Sequence, residues 1–451
     1  MDTIQTEPTP DSGLRPAALR KPASALKRLT GLWRHRDFLW LWAGQTASSL
    51  GSTITREALP YTAILTLSAT PLQMGLLGAA GAAPLLLFSL FVGVWVDRRR
   101  RRPIMVLADL GRALLLLSIP LAYLLGALNI VQLYVVSALV GILTVFFDTA
   151  YQAYLPALVG REQLVEGNSK LSLSGSLAEI SGPPLGGLLV QLIGGPLAVL
   201  LDGVSFLISA LSLGRIRATE PAPDGQATPV DAGGMPYTSM GTTLFAGLRA
   251  IQSDELLRPL AIGTAIRSFF GWFFGAIYGL YAIHTLGLST TMVGLTIACG
   301  GLGAFFGSLL VRPLVRRLGV GPAIVVARLV EAGGFALLWL AGDLPVLAVP
   351  LLVTAQIVGD MGDSAATINQ VSLRQALTPE RLLGRVNAGM SMLGQGIGTL
   401  GMLAGGLLAE AIGLHATVAV AALGILVGNL WLVFTPLRRL RELPIAQVKA
   451  E

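Results

Sequence analysis

Twelve ionisable side chains stand inside long apolar runs of this sequence: Arg56, Glu57, Asp109, Arg112, Asp148, Glu179, Asp202, Arg267, Arg328, Glu331, Asp360 and Asp363. A charge at the centre of a membrane helix costs about 2.5–3.5 kcal/mol on the insertion scale, so each one retained should face a partner or a water-filled cavity. A carboxylate that takes up a proton when dehydrated and gives it up beside an arginine or water can carry that proton across a barrier. Asp148 and Glu179 suit that role, with Arg56 or Arg112 as the charge that tunes them. Glu57 adjoins Arg56, and at about 100° per residue the two need not share a helix face. Asp109 and Arg112 are one helical turn apart, so a static ion pair holding helices together is an equally open reading.

Other chemistries find no residues to support them. No Gly-xxxx-Gly-Lys-Ser/Thr loop for nucleotide is present, the only histidines are His35, His284 and His415, and Cys299 is the only cysteine. Neither an intrachain disulfide nor a thiolate metal cluster can form, and no cofactor, metal or enzymatic activity is expected. The formal net charge of +7 is spread over short clusters between apolar runs rather than along one stripe, which fits membrane topology better than nucleic acid.

The elements that position these charges are membrane helices. Hydrophobic residues make up 53% of the 451 and charged residues 13%, with mean hydropathy +0.70, too little polar surface to cover a soluble protein of this size. Spans of roughly 20 apolar residues fall near 38–66, 71–96, 103–125, 130–157, 169–193, 195–213, 259–283, 290–313, 321–341, 345–373, 385–411 and 414–435. The predicted organisation is a basic, disordered arm over 1–36 without a cleavable signal, a bundle over 37–213, a linker over 214–258, a second bundle over 259–435 and a tail over 436–451. The linker contains TEPAPDGQATPVDAGGMP, too polar and too rich in Pro and Gly to order itself, followed by a surface helix before Arg258. Every Lys and Arg outside a span lies on one side of this arrangement. The positive-inside rule therefore predicts that both termini are cytoplasmic and that the protein sits in the plasma membrane.

The second half repeats the first at a spacing of 219 residues. Gly75 matches Gly294, Pro103 matches Pro322, Leu158 matches Leu377, Asn168 matches Asn387 and Gly187 matches Gly406. The same offset sets Asp109 on Arg328 and Arg112 on Glu331, so each half keeps two opposite charges one turn apart in reversed order. Parallel repeats of this kind build one large class of secondary transporters, in which the substrate path runs between the halves.

Between the second and third spans the chain reads GVWVDRRRRRP. This resembles the Gly-xxx-Asp-Arg-xx-Arg-Arg loop of the major facilitator superfamily, matched by Gly93, Asp97, Arg98, Arg101 and Arg102, with Arg100 where that family often has glycine. The resemblance implies an all-α fold of twelve membrane helices in two pseudo-symmetric six-helix bundles. It also implies close helix packing at Gly93 and a charged cytoplasmic latch between the halves from Asp97 and the arginines. Arg99 and Arg100 serve equally well as simple anchors of the loop. The fifth span carries GPPLGG, similar to an element of the superfamily's drug exporters. Gly182, Pro183, Pro184, Gly186 and Gly187 should kink that helix and let it pack closely.

The opening stretch RDFLWLWAGQTASSLGSTITREALPY, with ADLGRALLL and LVEGNS, resembles the branch holding enterobactin exporters and macrolide efflux proteins. By that resemblance the first, fourth, seventh and tenth spans line a central cavity, offering it Arg56, Asp148, Gln152, Arg267, Asp363, Asn369 and Gln370. One departure is Ser137, four residues before Gly141, where many proton antiporters carry arginine. The expected function is export of small amphipathic molecules, such as antibiotics or siderophores, by a monomer exchanging them for protons. Uptake of a nutrient or lysolipid on the same scaffold, or a sensor that has lost transport, remain open alternatives. The aromatic run of Phe269, Phe270, Trp272, Phe273 and Phe274 suits either a permissive pocket or a lipid-facing helix.

Overall fold

A computed structural model of the protein describes residues 31–218, 220 and 240–442. Most of the N-terminal arm, the Pro- and Gly-rich part of the linker and the end of the tail lie outside the described residues. Secondary structure among the described residues is helical throughout. The first half contains α1 (Arg36–Tyr61), α2 (Pro71–Asp97), α3 (Arg101–Leu124), α4 (Ile130–Val159), α5 (Leu164–Ile193) and α6 (Gly195–Arg215). A 14-residue helix, α7 (Met240–Ser253), precedes the second half. That half contains α8 (Leu257–Leu280), α9 (Thr290–Leu318), α10 (Val320–Asp343), α11 (Ala348–Leu377), α12 (Glu380–Ile412) and α13 (Leu414–Val433).

Ten of these helices are long and apolar enough to cross a membrane. The long helices α1 and α5 fall short by composition, since α1 carries Arg36, Asp37, Arg56 and Glu57 and α5 carries Glu166, Lys170 and Glu179 among many serines. Several helices outrun the apolar stretch that marks them in sequence. The 33 residues of α12 make a rod about 50 Å long, well beyond a hydrocarbon core of about 30 Å. Its first turns, from Glu380, are polar and continue the helix past the apolar part.

Each half packs in the same pattern. In the first, α1 lies on α5 and α6, α3 lies between α4 and α6, and α2 lies on α4. In the second, α8 lies on α12 and α13, α10 between α11 and α13, and α9 on α11. The offset of 219 carries each contact onto its counterpart. It also matches the single-residue joints: Gly194 (φ 83°) between α5 and α6, and Gly413 (φ 87°) between α12 and α13, are left-handed positions that glycine adopts without strain.

Both halves are also clasped at the start of their third helix by the segment that follows their sixth. The Glu220 carboxylate accepts from Arg101 N at 2.8 Å and Arg102 N at 3.3 Å, an acid at a helix N-terminus. In the second half, Val320 N and Gly321 N donate to the carbonyls of Arg441 and Leu440, at 3.2 and 2.8 Å.

The halves meet along two seams, α2 against α12 and α5 against α9. Glycines make each crossing. A Cβ on Gly75 would come within 2.6 Å of the Met402 carbonyl oxygen and 3.2 Å of Gly406 Cα. Gly187 lies on the carbonyl of Thr290, whose hydroxyl donates to Gly187 O at 2.8 Å, and Gly294 lies on the carbonyl of Pro183. Both seams are tight at the end of the molecule whose connections hold no lysine or arginine. Towards the other end these close approaches cease: neither Gly93 of α2 nor Gly175 of α5 has a neighbour within 4 Å of where its Cβ would stand.

Candidate functional site

The parting of the halves leaves a cavity of about 530 Å³ bordered by α1, α2, α4 and α6 on one side and by α8 and α12 on the other. Thr55, Arg56, Ser137, Asp148, Gly279 and Gln395 are among its walls. An adjoining chamber of about 260 Å³ shares Ser52, Arg56, Arg112, Thr144 and Asp148 with it and adds Glu179. Five of the intramembrane charges singled out in the sequence, Arg56, Arg112, Asp148, Glu179 and Asp202, therefore converge on one connected space.

Within that space the charges differ in how they are held. Arg56 on α1 forks onto Glu179 on α5, with both N–H···O distances 2.9 Å, and both side chains remain more than half exposed to the chamber. Arg112 is buried, paired with Asp109 one turn earlier, and clamped between the rings of Phe147 and Phe206 at 4.4 and 4.1 Å from their centroids. Its remaining reach is to the hydroxyl of Thr144 at 3.4 Å. Asp148 is exposed in the cavity, and among the described residues no hydrogen bond or ion pair holds its carboxylate. Glu57 lines neither chamber and lies against α5, its stem 3.1 Å from where a Cβ on Gly186 would stand. Thr144, Phe147 and Phe206 were not evident from sequence; Thr144 stands one turn before Asp148 on α4, the one local sign it gave.

The second half gathers four of its five intramembrane charges, all but Asp360, into one network. Arg328 on α10 donates to Glu331 and to Asp363 on α11, both at 2.7 Å, and to Thr367 and Gln370 at 3.1 and 3.0 Å. Arg267 on α8 completes it, 3.3 Å from Glu331 and 3.6 Å from Asp363. Asp363 and Gln370 thus serve Arg328, while Asn369 is buried and donates to Ala365 O of its own helix. Gln152 is exposed near the end of α4 and lines neither chamber. The aromatic run packs against its own half: the rings of Trp272 and Phe270 lie on Gly398 of α12 and Gly424 of α13, while Gly401 and Gly405 of α12 meet the backbone at Phe269 and Phe273. Trp272 keeps 41% of its surface exposed.

The arginine-rich loop is turned towards its own half. Arg102 donates to the carbonyls of Leu213 and Gly214, and Arg101 lies 3.9 Å from Glu220. Arg98 and Asp97 are exposed, and no ion pair to Asp97 occurs among the described residues, so in this conformation no charged latch joins the halves there. In the GPPLGG element, α5 runs unbroken through Pro183 and Pro184. Its glycines are contact points: Gly182 against Thr53, Gly186 against Glu57 and the Ile54 carbonyl, Gly187 against Thr290.

The chain matches the model of the Major Facilitator Superfamily over residues 41–345 and 260–450. It belongs to that superfamily. Among superfamily transporters it is 29% identical over 431 residues to the multidrug efflux pump Tap of Mycolicibacterium fortuitum, covering 93% of this chain and 99% of that one. It is 27% identical over 364 residues to the enterobactin exporter EntS of Citrobacter koseri, covering 78% and 81%. In fold it is similar to a bacterial homologue of the iron transporter ferroportin in its inward-facing state, with a TM-score of 0.71 at 19% identity over 90% of this chain and 99% of that one. Against the outward-facing state of the homologue the TM-score is 0.54, at 18% identity and coverage of 88% and 98%.

Proposed function

We propose that this superfamily transporter is an exporter of small amphipathic molecules, drugs or siderophores, driven by protons entering in exchange. In this reading all twelve long helices cross the plasma membrane as two six-helix bundles, the arginine-bearing end faces the cytoplasm, and a monomer is the working unit. The observation that carries it is the chamber between the halves, closed at the arginine-free end, open at the other, and bearing the exposed, unpaired carboxylate of Asp148 beside a wet ion pair. A static ion pair has no proton to give, whereas Asp148 stands in open space within electrostatic reach of Arg112. Its proton affinity can change as the surrounding water comes and goes. Glu179, whose basic partner is Arg56, is the second carrier, released whenever α1 and α5 shift apart. The resemblance to Tap and EntS supports the outward direction.

Everted membrane vesicles test the proposal directly. Uptake of a fluorescent lipophilic dye, a macrolide and a catecholate siderophore would be compared with and without an imposed pH gradient, for wild type and Asp148→Asn. Gradient-driven uptake of at least one of these by wild type, lost in Asp148→Asn at equal expression, is the expected result. Accumulation in right-side-out vesicles instead would identify an importer, and transport indifferent to the gradient in both proteins would end the antiport reading.

A further inference from the structure

Among the intramembrane carboxylates outside the ion pairs described above, Asp202 is the most deeply buried. Asp202 on α6 is 2% exposed, and among the described residues no ammonium or guanidinium lies within 4 Å of it. Arg112, the nearest positive charge acting on it, is bound to Asp109. An ionised carboxylate offers about four acceptor positions, and hydroxyls alone approach these. Ser205 Oγ lies 3.0 Å from Oδ1 but its one proton is shared with the Asp202 carbonyl at 2.8 Å, and Ser52 Oγ on α1 lies 3.5 Å from the same Oδ1. The hydroxyl of Thr55 is buried and also approaches the Asp202 carboxylate, without a hydrogen bond of ordinary length to any partner among the described residues. A buried anion so thinly served calls for a positive charge among these oxygens.

The site is built by close approach of two helices. A Cβ on Gly51 would collide with Ser205 Oγ and come within 2.6 Å of Asp202 Oδ1, so glycine is what allows α1 to close over the carboxylate. Ser52, Thr55 and Asp202 all line the main cavity, which gives an ion a route in. Under the offset of 219 the four oxygen-bearing residues Ser52, Thr55, Asp202 and Ser205 fall on Gly271, Phe274, Ala421 and Gly424. The second half folds the same way without any of them, so the oxygens are not a requirement of the α1–α6 contact.

We infer that Asp202, Ser52, Thr55 and Ser205 form a binding site for a hard monovalent cation, Na⁺ by preference. Oxygen donors from carboxylate and hydroxyl are what hard cations take. A single negative charge balances a monovalent ion and leaves a divalent one uncompensated. A proton would need one acceptor, whereas here four oxygens converge, with water from the cavity free to complete the shell. The site is separate from Asp148 and Glu179, and its occupancy can be read without any transport measurement.

The test is binding of radioactive Na⁺ to the purified full-length protein in lipid nanodiscs, at neutral and alkaline pH, with K⁺, Li⁺ and choline as competitors. Saturable Na⁺ binding is expected, displaced by Li⁺ but not by choline, abolished in Asp202→Asn and weakened about tenfold in Ser205→Ala, the equivalent of one lost ligand. Thr55→Val, close in shape to the original, should also weaken it, which guards against misfolding of the Asp202 variant. Absence of Na⁺ binding by wild type at every pH, with the protein monodisperse, would overturn the inference and leave Asp202 a protonated acid. Binding that survives both Asp202→Asn and Thr55→Val would overturn it too. Neither result bears on proton-driven export through Asp148, which the vesicle assay decides separately.

Discussion

The ion pairs of this protein fall into two physical classes, and substitutions should separate them. Arg328 and Glu331 are each about 3% exposed and tie α10 to α8 and α11, so Glu331→Gln leaves the buried Arg328 with Arg267 facing one carboxylate, Asp363. A loss of about 3–5 kcal/mol is expected, seen as a lowered melting temperature in detergent. The Arg56–Glu179 pair is 61% and 56% exposed. Its double neutralisation, Arg56→Gln with Glu179→Gln, should cost about 0–1 kcal/mol while abolishing gradient-driven efflux. The reverse pattern, collapse of the wet pair's variant with activity kept in the other, would refute this division. Sequence revealed the pairs one turn apart, because helical geometry makes them neighbours. For Glu179 it offered Arg56 or Arg112 as alternatives, and could not decide for Arg56, 123 residues away on a different helix.

At the scale of helices, the glycines matched by the repeat prove to be the four crossing points of the two seams. Their spacing was legible; their use was not, because a glycine in an apolar run looks the same whether it faces lipid, its own bundle or the other half. The GPPLGG element shows the same limit: its residues were expected to bend α5 and to pack closely, and the partners of that packing, α1 and α9, emerge only from the structure. Gly75→Val would push a branched side chain into the Met402 carbonyl and Gly406. Overpacking of this kind costs about 1–3 kcal/mol, paid only while the seam is closed, so the open-ended state at that side should gain population by about tenfold per 1.4 kcal/mol. With Cys299 replaced by alanine and a cysteine set at Thr291, labelling by a membrane-impermeant thiol reagent should rise in Gly75→Val. Unchanged labelling would mean the seam does not control access.

For the molecule as a whole, the twofold repeat and the one-sided distribution of basic residues could be read from the chain, and the packing repeats with the same offset. The conformation could not, since one sequence must satisfy both ends of a motion. Asp97 illustrates this. Exposed and unpaired among the described residues, it contributes nothing evident to the state seen here, so Asp97→Asn should leave the melting temperature of the protein unchanged. If the loop engages the other half when that end closes, as proposed for the latch, the same variant should lose most of its efflux. A variant that transports normally would show that the loop only anchors.

The two clasps, Glu220 on the start of α3 and the Leu440 and Arg441 carbonyls on the start of α10, have a practical corollary. Each bundle is finished off by its own trailing segment and borrows nothing from the other to seal that helix end. Cutting the gene between the codons for 225 and 239 and producing both pieces in one cell should yield two polypeptides that find each other and restore efflux. Deleting everything from Leu437 onward should impair the second piece far more than removing residues 443–451.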